Sequence, residues 1–144
     1  VEGRVRVQTR PVRPQALPVG ALEHRVPVLT AVLGEDGELM RAAGATADGL
    51  VIAAFGAGHL TPGMLAALRE IGDRIPVLIT VRPERGSMLR ATYGFEGSER
   101  DVRATAAVCV PLLSAPAARV ALLCCLGAGL DRNRIAAALA LFDA

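Results

Sequence analysis

The chain contains no lysine and no tryptophan. All of its fixed positive charge is arginine, so a lysine base, a lysine Schiff base and the lysine of a phosphate-binding P-loop are excluded over all 144 residues. Aromatic residues make up 3% of the sequence against 52% hydrophobic. The core must then be built from Ala, Val, Leu and Ile, which suits parallel strands under closely packed helices. Arginines are scattered, stacking rings are scarce and the net charge is only +2, so no nucleic-acid partner is expected. Cysteine is sparse: Cys109, Cys124 and Cys125 are odd in number and two are adjacent, which makes no disulfide framework and points to a reducing, cytoplasmic setting. No signal peptide is expected, because the first residues are charged and lack an apolar segment. The richest apolar region, Ala104 to Leu130, is broken by Pro111, Pro116 and Arg119 and is not a membrane span. His24 and His59 are the only histidines, and neither has an acid or a cysteine at ligand spacing; no metal and no cofactor are expected.

What is present is organised around Asp48 to Leu68. Leu50-Val51-Ile52-Ala53-Ala54-Phe55 is an unbroken apolar run, the pattern of a strand covered on both faces. Gly56-Ala57-Gly58-His59-Leu60 turns the chain at that strand's carboxyl end. Thr61-Pro62 supplies a hydroxyl for the N-cap and proline for the first helical position. Met64, Leu65, Leu68 and Ile71 follow at helical spacing. Ligands of open α/β sheets gather outside the carboxyl ends of the strands, which puts His59 on the candidate functional edge.

The same reading extends along the chain. Val26 to Leu33, Ile75 to Val81 and Ala107 to Val110 are further strands; Glu38 to Thr46, a short segment opened by Ser98, Ala115 to Leu126 and a stretch capped by Asp131 are further helices. Ser98 with Asp101 three residues on reads as an acidic variant of the capping box. The alternation predicts an α/β fold: a small three-layer domain with a four-stranded parallel sheet and helices on both faces, of flavodoxin-like form. Residues 1–20 differ. Arg4-Val5-Arg6-Val7-Gln8 alternates like a half-wet strand, and Pro11, Pro14 and Pro18 mark an extended linker. A solvated strand and linker outweigh a basic arm there, so the compact domain is placed at 21–144.

No complete catalytic set is visible. Gly56-Ala57-Gly58 lacks the third glycine and the downstream acid of a dinucleotide fingerprint; it reads as a tight turn able to hold a small carboxylate. His59 serves either as base, ligand or hydrogen-bond partner, or as polar surface. Cys124 and Cys125 read as small core residues, and Ser114 as a helix cap without the glycine elbow of a hydrolase serine. Arg82 and Arg85 either clamp a carboxylate or solvate a loop.

The order Asp48-Gly49-Leu50-Val51-Ile52, Gly56-Ala57-Gly58-His59-Leu60, Ile75 to Arg82, Tyr93-Gly94 and Leu113 to Val120 resembles the smaller, C-terminal domain of bacterial-type L-asparaginases. Gly3 to Val7 resembles the last strand of that family's N-terminal domain, and Pro11 to Gly20 its interdomain linker. The resemblance implies hydrolysis of L-asparagine, or glutamine in some members, to the acid and ammonia. It also implies a homodimer or homotetramer, and partnership with an N-terminal domain. That domain carries the nucleophile threonine in a Thr-Gly-Gly-Thr segment, with a second threonine, an aspartate and a lysine; none of these motifs is in this chain, so no catalytic residue is assigned here and the chain alone should be inactive.

What the resemblance does imply is substrate binding in trans by His59, Gly58 and Tyr93. The family's Gly-Asn-Gly-Asn-Leu turn, whose second asparagine reaches the neighbouring subunit's site to hold the substrate amino group, is Gly56 to Leu60 here, with His59 in the asparagine's place. Neutral imidazole accepts from an amine, and imidazolium repels it. The glutamate that some members place just before the Tyr-Gly pair has no counterpart in Ser87 to Thr92. Of the family's Lys-Ala-Arg only Arg119 is kept. Two other readings remain: a stand-alone flavodoxin-like binding or interaction module, and the asparaginase-like subunit of an amidotransferase. The asparaginase reading requires parallel strands and a His59 that solvent can reach.

Overall fold

The structure, a computed structural model, describes residues 16–84 and 86–143. The strand expected at Arg4 to Gln8, most of the linker and Arg85 lie outside the described residues. Four parallel strands form one sheet: β1 (Val28–Thr30), β2 (Leu50–Ala54), β3 (Val77–Val81) and β4 (Val108–Cys109), in the spatial order β1-β2-β3-β4. β2 and β3 pair along their full length, from Leu50 opposite Val77 to Ala54 opposite Val81. The flanking strands are shorter than the apolar runs around them. Among the described residues each bonds on one side only, and prolines bound them at Pro27 and Pro111.

The strand order decides where the helices go. A chain that advances by one strand at each same-handed crossover lays every connecting helix on one face. That face carries α1 (Glu38–Gly44), α2 (Pro62–Gly72) and α3 (Glu99–Arg103). After β4 the chain returns across the other face as α4 (Ala115–Gly127) and α5 (Arg132–Leu139), ending in a single 3-10 turn, Ala140–Phe142. The side chains of the central strands sort by their period of two. Leu50, Ile52, Ala54, Val77 and Ile79 join Met40, Met64, Leu65, Leu68 and Val102 in one cluster, whereas Val51 and Leu78 join Ala118, Leu122, Cys125 and Ile135 in the other. All five residues of β2 are buried, as an apolar run sandwiched between helix layers should be.

Local chemistry sets the helix starts. Thr61 Oγ1 accepts the Met64 N–H at 3.1 Å and donates to the Glu35 carbonyl at 2.5 Å, which ties the start of α2 to the turn after β1. Ser114 Oγ accepts from Ala117 N–H at 3.4 Å and Asp131 Oδ1 from Arg134 N–H at 2.9 Å. Ser98 departs from expectation. Its buried Oγ has no partner, and Asp101 Oδ2 accepts the Gly97 N–H at 3.1 Å, so the aspartate caps the loop rather than closing a box with the serine. Arg119 donates to the Val26 carbonyl at 2.8 Å and holds α4 to the entry of β1. Among the described residues no helix is long and apolar enough to cross a membrane.

Candidate functional site

The sheet order has no reversal, so no crevice opens between diverging crossovers as it does at a topological switch point. Any concavity at the carboxyl edge has to be built from loops. Two loops build it: the turn after β2 and the long segment between β3 and α3.

The turn is a single 3-10 turn over Gly56–Gly58. Phe55 N–H donates to the His59 carbonyl at 3.0 Å and Gly58 N–H to the Phe55 carbonyl at 3.0 Å. Those amides are therefore engaged inside the turn rather than free to cradle an anion. Ala57 sits at φ 62°, in the left-handed region that a residue with a Cβ enters only at a cost. Gly58, at φ 92°, is seated on Met88: a Cβ there would lie 2.4 Å from Met88 Cγ. Leu89 N–H then donates to the Ala57 carbonyl at 3.0 Å, which pins the second loop on the first.

His59 projects from this turn with its side chain 19% exposed. It is reachable but mostly enclosed. Its ring meets Tyr93 edge-on at 5.0 Å between centroids, and Phe95 at 4.8 Å with 76° between the planes. Tyr93 and Phe95 are themselves half exposed, at 45% and 49%, in a chain that has only four aromatic side chains. Edge-to-face contacts of this kind fix ring orientation as well as position.

Behind the imidazole lies an acid that the sequence did not reveal. Glu99 is completely excluded from solvent, and its Oε2 is 3.1 Å from His59 Nε2. Its Oε1 accepts the backbone N–H groups of Thr92 at 2.6 Å and Tyr93 at 2.8 Å. Burial pushes the Glu99 carboxyl up, but the hydrogen bonds from the backbone of Tyr93, Glu99 and Thr92 and from His59 together outweigh it and hold the group below its usual range. The carboxylate is thus kept charged in a dry setting by donors fixed on three sides.

The predicted site residues come together in part. Gly58 shapes the turn, His59 stands at its end, and Tyr93 reaches the His59 ring from the second loop. Ser87 to Thr92 hold no acid, and the carboxylate beside His59 is that of Glu99, at the start of α3. Glu99 has a neighbour in sequence, Glu96, that is exposed, and nothing in the pattern of residues separates the two. Arg82 Nη1 donates to the Ala31 carbonyl at 2.8 Å and its guanidinium lies 4.7 Å over the Phe55 ring, so it braces the ends of β1 and β2. Cys125 and Cys109 are buried and Cys124 half-buried. Burial pushes the Cys109 thiol up to about 11, with Arg103 opposing weakly. Among the described residues no group of three His, Cys, Asp or Glu is placed to hold a metal ion. An apolar groove of about 690 Å³ between α4 and α5, lined by Leu17, Ala121, Cys124, Leu130 and Phe142, lies on the opposite layer and includes none of the predicted site residues.

The fold and site define a helix-covered parallel α/β domain that offers a histidine, backed by a buried carboxylate and flanked by rings, at the carboxyl edge of its second strand. The Glutaminase/Asparaginase C-terminal domain model matches residues 25–139, and the chain belongs to that family. It is 37% identical over 123 residues to a probable L-asparaginase of Deinococcus radiodurans, covering 85% of this chain and 37% of that protein. The fold matches the thermostable L-asparaginase from Thermococcus kodakarensis with a TM-score of 0.71 at 21% identity, over 96% of this chain and 43% of that one. It also matches L-asparaginase I from Vibrio cholerae with a TM-score of 0.65 at 19% identity, over 79% and 35%. The chain therefore spans less than half the length of each of these relatives.

Proposed function

We infer that this chain is the C-terminal part of an amidohydrolase that converts L-asparagine to L-aspartate and ammonia, and that its share of the work is to complete the substrate pocket of a neighbouring subunit. Residues 1–20 then bring the chain from an N-terminal domain, which supplies the threonine nucleophile and its supporting groups. The observation that carries this reading is His59. It occupies the turn position from which the family reaches a neighbour's substrate, it is partly open to solvent, and its ring is oriented by Tyr93, Phe95 and Glu99 rather than left loose on a surface. A surface histidine of no consequence has no need of a buried carboxylate.

An exposed apolar rim supports pairing of subunits at this edge. Val32 and Leu33 follow β1 and are 48% and 89% exposed, on the same end of the sheet as Tyr93 and Phe95. Contact across that rim would cover these side chains and present His59 to the partner's pocket, in a dimer or a tetramer.

The reading is tested with the full-length parent enzyme and with this chain alone. The parent should hydrolyse L-asparagine, and His59→Ala should raise KM roughly tenfold, the worth of one hydrogen bond to a charged group, with kcat changed much less. The purified 144-residue chain should release no ammonia from asparagine. Turnover by the chain alone, or an unchanged KM in the variant, would refute the assignment.

A further inference from the structure

We propose that Glu99 is the positioning residue of this site: it fixes the tautomer of His59 so that Nδ1 is the nitrogen presented to the substrate's α-ammonium group. The proposal rests on the reading above, in which His59 meets the amino end of an amino-acid substrate.

The geometry leaves little freedom. Glu99 Oε1 is committed to two backbone donors, Thr92 and Tyr93, at 2.6 and 2.8 Å. Oε2 faces His59 Nε2 at 3.1 Å. An ionised carboxylate only accepts, so Nε2 must carry the proton. In neutral imidazole that leaves Nδ1 as the lone-pair nitrogen, able to accept from an ammonium N–H. Tyr93 and Phe95 pack on the ring at steep interplanar angles, and a 180° flip of the ring would put Cε1 in place of Nε2 and lose the Glu99 contact. Asparagine in the same turn position offers its amide oxygen to an amine without any such help. Imidazole, which can present a donor or an acceptor, needs a second group to choose.

The isosteric variant Glu99→Gln separates this role from packing. Its amide oxygen can take over the two backbone donors, which places its NH₂ against His59 Nε2. Donor would then face donor, and the imidazole relieves the clash by moving its proton to Nδ1. The side chains keep their shape, but the nitrogen facing the substrate becomes a donor and repels the ammonium group.

The test uses the full-length parent enzyme labelled with ¹⁵N-histidine, the His59 signals being assigned by their loss in His59→Asn. In the unsubstituted enzyme the neutral His59 should show a protonated Nε2 and an unprotonated Nδ1. In Glu99→Gln the pattern should invert, and KM for L-asparagine should rise by about tenfold, as in His59→Ala, with kcat much less affected. A protonated Nδ1 in the unsubstituted enzyme overturns the proposal, and this arm decides alone if Glu99→Gln does not fold. An inverted tautomer with unchanged KM also overturns it. If His59→Ala raises KM and Glu99→Gln does not, the positioning role falls and the pocket assignment stands; if neither moves KM, both fall.

Discussion

Gly97 and Leu60 are in such close contact that a Cβ added to the glycine would lie 2.2 Å from the Leu60 carbonyl oxygen, and the Leu60 N–H donates to the Gly97 carbonyl at 2.9 Å. This contact joins the residue after His59 to the residue two before Glu99. At this point the two halves of the site meet backbone to backbone, beside the side-chain contacts of His59 with Glu99, Tyr93 and Phe95.

Replacing Gly97 should therefore damage the site and the fold together. The residue sits at φ 90°, which already disfavours a Cβ, and the added methyl has nowhere to go. Gly97→Ala should lower stability by more than about 2 kcal/mol in urea unfolding, from the left-handed conformation and the overlap combined. An equally stable variant would show that the two loops are not in contact.

Ala57 offers the opposite case. It holds a left-handed backbone, φ 62°, with a side chain that gains nothing there. Ala57→Asn should stabilise the protein by about 0.5–1 kcal/mol, because asparagine tolerates this region far better. A thermal melt with an unchanged or lower midpoint would count against the turn geometry.

The hydrogen bonds to Glu99 predict a pH dependence whose sign can be worked out. The folded carboxyl titrates below its unfolded value of about 4.5, so the native state binds fewer protons than the unfolded chain in that range. The stability this contributes is complete above the unfolded value and disappears as pH falls through the folded one. The unsubstituted protein should exceed Glu99→Gln in stability at neutral pH, and the gap should shrink on acidification below the unfolded value. Denaturant midpoints across that range check it; a gap that widens in acid would reverse the sign.

The thiols should differ in reactivity. Burial pushes Cys109 up to about 11 and raises Cys125 as well, and both are shielded, whereas Cys124 is half-buried. Ellman's reagent at neutral pH should modify Cys124 first and label all three only after unfolding. Loss of the fast phase in Cys124→Ser identifies the thiol; its persistence would mean a different cysteine is open.

Much of this architecture was legible in the residues. The runs Leu50 to Phe55 and Ile75 to Val81 could satisfy their apolar faces only between two layers of helix, and Thr61-Pro62, Ser114 and Asp131 announced helix starts by local hydrogen bonding. Strand ends were less so. Val26 to Leu33 contains a strand of three residues, Val28–Thr30, because pairing at a sheet margin depends on the neighbour and not on apolarity.

The sequence by itself determined the alternation of strand and helix, the parallel sheet that follows from it, and the turn that carries His59 at a strand's carboxyl end. These arise from interactions among residues a few positions apart, which composition and spacing encode. Only the tertiary structure decided that His59 has a partner. Glu99 lies 40 positions away, and its value to the site comes from the loop that closes over it. A carboxylate survives in a dry interior only where fixed donors replace water, and the amides of Thr92 and Tyr93 become such donors only after the chain has folded.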